Sequence, residues 1–184
     1  MGIIADSLDQ ADAAHFTRPI PKSAQKQMQF LVKQTKGTKA AADLLGITQR
    51  TVERYLAGKL KQPRPHLADR LAGEVRKRWQ PRVRDRAKKQ AVTTGGIIID
   101  TRARFGFAAA PGTTDDPRQR SITQGLPPAY AARLFDAHTA GATEQHLQGI
   151  VAEGLQEVYF KDRGRRAHGL LVDFTDIDYL DVDY

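Results

Sequence analysis

Residues 38–59, TKAAADLLGITQRTVERYLAGK, decide how the first half of this chain folds, because small and apolar residues recur where two short helices crossing over a tight turn require them. With Gly46 at the turn, Ala42 lies four positions earlier and is small enough to let the second helix cross close to the first. Leu45 and Ile47 flank the turn as buried anchors. Val52 and Tyr55 follow at i and i+3 on the seam, which leaves Gln49, Arg50, Thr51 and Arg54 on the outer face of the second helix. The pattern is that of a helix-turn-helix. Its outer face has the chemistry of a major-groove reader: Arg50 and Arg54 suit guanine O6/N7 or phosphate, and Gln49 suits adenine. An ordinary αα-hairpin with a solvated outer face is the alternative, and the agreement of small residue, turn glycine and apolar spacing favours the motif.

Charge is unevenly spread. Residues 1–92 hold 20 Lys+Arg against 8 Asp+Glu, near +12, whereas residues 93–184 hold 9 against 13, near −4. A basic half attracts any polyanion through phosphate contacts and counterion release, without reading sequence. The chain has 184 residues, 40% of them hydrophobic, room for one domain or two small ones. It has no Cys, which excludes disulfides and thiolate metal sites and fits a reducing cytoplasm. No signal-type segment opens the sequence and no apolar run reaches the roughly 18–20 residues that span a bilayer, so a soluble, unexported protein with no membrane partner is expected.

Around the motif the pattern is helical. An N-terminal arm ends in FTRPIPKS, where Pro19 and Pro21 enforce extended backbone and Ser23 can cap a helix over Ala24–Gln34. Gly58 closes the second helix of the motif, and a further helix is expected over Pro65–Trp79 with Leu67, Leu71 and Val75 buried. The segment EVRKRWQPRVRDRAKKQ then places Arg76, Lys77, Arg78, Arg82, Arg84, Arg86, Lys88 and Lys89 within 14 residues. A helix so charged presents cations almost all round and is stabilised by lying along a phosphate backbone; a solvated surface helix is the alternative. Trp79 either stacks on a base or staples the helix to the core.

After Thr93-Thr94-Gly95-Gly96 the composition changes. GIIID and TRARFGFAAA read as two strands, the first continuously apolar and the second alternating. PPAYAARLFDAHTAG and TEQHLQGIVAEGLQEVYF read as helices, and LLVDFTDIDYLDVDY as a half-buried strand or strand pair. The expected fold is therefore α+β: an all-helical, basic helix-turn-helix domain over residues 1–92, then a small acidic mixed α+β domain over residues 93–184.

No catalytic constellation stands out. His15, His66, His138, His146 and His168 are not spaced as metal ligands, and neither a phosphate-binding glycine loop nor a nucleophile elbow occurs. Asp173, Asp176, Asp178, Asp181 and Asp183 could be a two-metal site. Alternation instead places them on an exposed strand, where charge discourages edge pairing. The loop AAAPGTTDD sets the hydroxyls of Thr113 and Thr114 beside Asp115 and Asp116 on a Pro-Gly turn. It reads either as a Thr-Asp turn capping the next segment or as an exposed hydroxyl acceptor for a phosphoryl or nucleotidyl group.

FTRPIPKSA, GTKAAADLLGITQRTVERY, VRKRWQPRVR, TTGGIIIDTRARFGFAAAPGTTDD, VYFKDRGRRA and FTDIDYLDVDY, in this order, resemble the terminal proteins joined covalently to the 5′ ends of linear actinomycete chromosomes and plasmids. The resemblance implies a protein primer for end replication: a threonine hydroxyl, Thr114 here with Thr113 the fallback, receives the first deoxynucleotide. It implies telomeric DNA, a telomere-binding accessory protein and a DNA polymerase as partners, and is compatible with a homodimer. The chain would be a substrate rather than an enzyme, with no intrinsic cofactor. The divalent metal would belong to the polymerase, and the protein would lie in the cytoplasm on the nucleoid at replicon ends. A helix-turn-helix transcriptional regulator with a C-terminal dimerisation or ligand-sensing domain is the competing reading, and self-nucleotidylation through the tail carboxylates is a third.

Overall fold

Ser23, whose Oγ accepts from the Lys26 N–H at 3.3 Å, starts the first of the helices that build the basic part of the chain. The computed structural model describes residues 2–108 and 116–184. These are eight α-helices, α1 (Ile3–Ala14), α2 (Ala24–Thr35), α3 (Thr38–Leu45), α4 (Gln49–Leu56), α5 (Pro65–Arg78), α6 (Pro81–Gln90), α7 (Pro128–Thr139) and α8 (Glu144–Leu155). Three strands accompany them, β1 (Ile97–Ala108), β2 (Asp116–Leu126) and β3 (Leu171–Asp183), and π-helical turns continue α6 and α8 at Ala91–Gly95 and Gln156–Phe160. The fold is α+β. The chain divides into a helical unit, Phe16–Val83, and a second unit made of Met1–His15 with Arg84–Tyr184. The boundary thus falls at 15/16 and 83/84 rather than at 92/93, because the first helix packs with the sheet. The charge asymmetry survives: the helical unit holds 16 Lys+Arg against 4 Asp+Glu, near +12, and the other 13 against 17, near −4.

In the helical unit, Met28 and Leu31 of α2, Ala42 and Leu45 of α3, Val52 and Tyr55 of α4, and Leu71 and Val75 of α5 form one buried cluster. Each large member contributes about 1.5–3 kcal/mol by leaving water. Trp79 ends α5. Its ring meets Phe30 edge-on at 4.9 Å and its indole N–H donates to the Arg18 carbonyl at 3.0 Å, so the tryptophan staples the extended segment before α2 to the core.

The other unit is an antiparallel sheet of order β2-β1-β3 with helices on one face. Strict alternation along β1 buries Ile97, Ile99, Thr101, Ala103 and Phe105 and turns Ile98, Arg102 and Arg104 outward. What reads from sequence as two strands is therefore one, continuous through Asp100. Gly96, with φ 73°, enters the strand beside the Leu126 carbonyl, which any Cβ there would strike. β2 has few apolar residues and is not anticipated by the sequence pattern; of its described side chains, only Ile122 and Leu126 reach the core. The tail is a single strand, not a pair. Its register slips twice against β1, between Arg102 and Ala103 and between Arg104 and Phe105, and the buried Thr101 hydroxyl donates to the Tyr179 carbonyl at 2.8 Å near the first slip.

The segment with no sequence assignment, α1, lies against the sheet and α8, burying Ile4, Leu8 and Ala11. Glu144 caps it from α8: its carboxylate accepts from the N–H groups of Ile4 at 2.7 Å and Ala5 at 3.3 Å. Two polar side chains close the outer edge of β3. Ser7 Oγ accepts from the Val182 N–H at 2.7 Å, and Gln156 Oε1 from the Val172 N–H at 2.9 Å. At the far end of α1, Asp12 is 3% exposed. Its carboxylate accepts from the Tyr184 hydroxyl at 2.6 Å and lies 3.1 Å from Lys88 Nζ and 3.7 Å from Arg84 Nη1. The Tyr184 ring lies between His15, tilted at 5.0 Å, and Phe135, edge-on at 4.8 Å. Burial, with the hydrogen bond to Asp12 second, pushes the phenol well above its ordinary pKa.

Candidate nucleic-acid interface

The helix-turn-helix forms where the spacing places it. Gly46 caps α3 in the left-handed region at φ 62°, which only a residue without Cβ adopts cheaply, and the chain turns directly into Thr48, the N-cap of α4. Thr48 Oγ1 accepts from the Thr51 N–H at 3.3 Å and lies 2.9 Å from the Thr51 hydroxyl. Ala42 is buried with Leu45, Val52 and Tyr55 where α3 and α4 meet, and Ile47 is half-buried. Neighbouring helices close both open carbonyl ends: Arg70 of α5 donates to the Leu45 carbonyl at 2.7 Å and Gln25 of α2 to the Leu56 carbonyl at 2.9 Å. Local spacing carries no sign of these two positioning residues, since their partners lie 25 and 31 residues away.

On the outer face of α4, Gln49, Arg50 and Arg54 are exposed and Thr51 is half-buried. Gln49 donates to Glu53 Oε1 at 3.0 Å, so it must exchange that partner to read a base. Arg50 and Arg54 flank a shallow depression with Lys59, and Arg54 also borders one that extends to Arg64 and His66. Lys59 and Arg64 thus add cations beside the outer face that the motif alone does not reveal.

The basic run is not positive all round. It breaks at Trp79 and Gln80 into α5 and α6, and its cations divide by face. Arg78 is fastened to Glu74, through the carboxylate and through the backbone carbonyl at 3.2 Å, and Lys77 Nζ lies 3.5 Å from the same carboxylate. Arg84 and Lys88 turn toward Asp12. Arg76, Arg82, Arg86 and Lys89 are exposed, and the last three recur at i, i+4 and i+7 on one face of α6. Four of the eight, Lys77, Arg78, Arg84 and Lys88, thus lie beside acids of this chain.

Of the expected acceptor loop, Thr113, Thr114 and Asp115 lie outside the described residues, and Asp116 is described only as the backbone that opens β2. The tail acids Asp173, Asp176, Asp178, Asp181 and Asp183 are all exposed, with Arg102 3.5 Å from Asp178 and Arg104 3.9 Å from Asp176 across the strand pair. Among the described residues no group of three or more His, Asp or Glu side chains could hold a metal ion. Nor, among them, is any helix long and apolar enough to cross a membrane. No family model matches the chain, and no curated protein and no solved structure matches it either.

Proposed function

We propose that this chain binds DNA ends through its helical unit and serves as the protein primer for their replication. The observation that carries the DNA-binding part is the outer face of α4, where Arg50 and Arg54 stand exposed on a helix capped by Thr48 at its start and held by Gln25 at its last carbonyl, within a unit near +12. The priming part rests on the resemblance to actinomycete terminal proteins at GTTDD. There the Thr114 oxygen attacks the α-phosphorus of a deoxynucleoside triphosphate, the new O–P bond replaces the α–β phosphoanhydride, pyrophosphate leaves, and the hydroxyl proton passes to a nearby carboxylate. The metal ions that steady the phosphates belong to the partner polymerase, and an accessory telomere-binding protein selects the end with this chain.

The test is transfer of labelled deoxynucleotide to the purified chain in the presence of polymerase and template. Wild type and Thr113→Ala should be labelled through a bond that survives denaturation, and Thr114→Ala should not. Equal labelling of wild type and Thr114→Ala would sink the acceptor assignment. Absence of any protein on exonuclease-resistant DNA ends recovered from cells would favour the regulator instead.

A further inference from the structure

We propose that the loop Lys161–Arg166, together with the half-buried rings of Phe107, Tyr159 and Phe160, is a second nucleic-acid site, one that holds a single-stranded polynucleotide. It belongs to the unit whose net charge is near −4, so the cluster is a local exception and not part of a generally basic surface. Four cations, Lys161, Arg163, Arg165 and Arg166, occur in six residues against one acid, Asp162, and Arg163, Arg165 and Arg166 are exposed.

The loop is held in shape before any ligand arrives. Arg166 donates to the carbonyls of Phe160 at 3.1 Å and Tyr159 at 3.0 Å, the Arg163 N–H donates to the Glu157 carbonyl at 2.9 Å, and the Arg166 N–H to the Lys161 carbonyl at 3.1 Å. These bonds hold Asp162 and Arg163 in the left-handed region, at φ 48° and 57°, where non-glycine residues persist only if their surroundings impose it. The rings form one group beside the loop. Phe160 meets Phe107 at 5.3 Å, Phe105 at 5.2 Å and Tyr159 at 5.0 Å, all edge-on, and the Arg120 guanidinium lies 5.9 Å from the Phe160 ring.

A loop rich in cations beside a group of half-buried rings suits a flexible strand, whose phosphates take the arginines and whose unstacked bases take the rings. A duplex offers the phosphates but hides the base faces. The site stands on its own residues and does not depend on the helix-turn-helix reading.

The test uses the full chain and a labelled oligothymidylate of about 20 nucleotides, with affinity followed by anisotropy at about 50 and 200 mM salt. Arg163→Gln/Arg165→Gln removes two phosphate contacts, which lowers the log–log salt slope by about 1.4, so wild type should lose about sevenfold more affinity than the variant across that range. Tyr159→Leu keeps the packing apolar and should weaken binding about tenfold at an unchanged slope. Arg163→Lys/Arg165→Lys should restore the wild-type slope, and melting curves confirm that each variant is folded. Wild-type affinity and slope in Arg163→Gln/Arg165→Gln, or wild-type affinity in Tyr159→Leu, would overturn the proposal, as would an equal loss on duplex of the same length. Arg50→Ala/Arg54→Ala on duplex tests the helix-turn-helix separately, so either reading can fail without the other.

Discussion

Replacing Asp12 by Ala removes the acceptor of the Tyr184 hydroxyl and leaves Arg84 and Lys88 facing a neutral methyl group. Asp12 is 3% exposed, and breaking a buried ion pair from one side costs about 3–5 kcal/mol. The two cations, at 19% and 23% side-chain exposure, keep part of their water, which moves the ionic share toward the low end. The lost hydrogen bond adds about 1 kcal/mol. The expected loss is about 3–4 kcal/mol, confined to the sheet-containing unit. Native-state hydrogen exchange of the β1 and β3 amides reads that loss directly, while Trp79 fluorescence reports the helical unit as an internal control. Tyr184→Phe should cost about 1 kcal/mol in the wild-type background and close to nothing once Asp12 is gone, because the two changes remove the same bond. A loss below about 1 kcal/mol in Asp12→Ala, or an equal shift of the Trp79 transition, would refute the reasoning.

Alkali should act through Tyr184. Its phenol titrates above its ordinary value in the folded state, so its stabilising contribution is complete below pH about 10 and is lost as pH rises beyond that; the gap in stability between wild type and Tyr184→Phe should shrink there in pH-dependent urea titrations. Arg50→Ala or Arg54→Ala should each cost about 1–3 kcal/mol on the preferred end sequence and reduce discrimination, whereas removing Arg82, Arg86 and Lys89 together should flatten the duplex salt slope by about 2.7 and weaken all sequences alike. Uniform losses from both classes in titrations against telomeric and scrambled DNA would make the motif a scaffold only. Gly96→Ala should destabilise the sheet-containing unit by more than the roughly 1 kcal/mol of an ordinary glycine exchange, since its Cβ meets a backbone carbonyl, and a melting curve within a degree of wild type would contradict this.

The helix-turn-helix is legible in the sequence because every contact that shapes it is local: Ala42, Gly46, Val52 and Tyr55 lie within 14 residues, and the helical period alone brings them together. β1 misleads because Ile97, Ile98 and Ile99 look like one buried run, whereas the middle residue is 48% exposed on the open face. Asp100 looks like a strand end, yet its carboxylate accepts from the hydroxyls of Thr123 at 2.6 Å and Tyr179 at 3.3 Å across both neighbouring strands. β2 escapes notice because an open sheet asks only one face of an edge strand to be apolar. The inward turn of Arg84 and Lys88 depends on an aspartate more than 70 residues earlier, beyond the reach of any local pattern. The loop Lys161–Arg166 is visible as a charge cluster, but only its fastening to Tyr159 and Phe160 gives it a defined surface.

The contacts that seat α1 fix an order of assembly. The hydrogen bond from Val182 to Ser7 joins residues 175 apart in sequence, and that from Tyr184 to Asp12 residues 172 apart. Everything between α1 and Arg84 forms a separate unit whose core contacts are mostly local, so during synthesis from the N-terminus the helical unit can close early. α1 must wait for α8 to cap it and for β3, made later still, to complete its cover. A ribosome stalled after α8 has emerged but before β3 has would therefore hold a chain with a finished helical unit and a sheet still lacking its third strand.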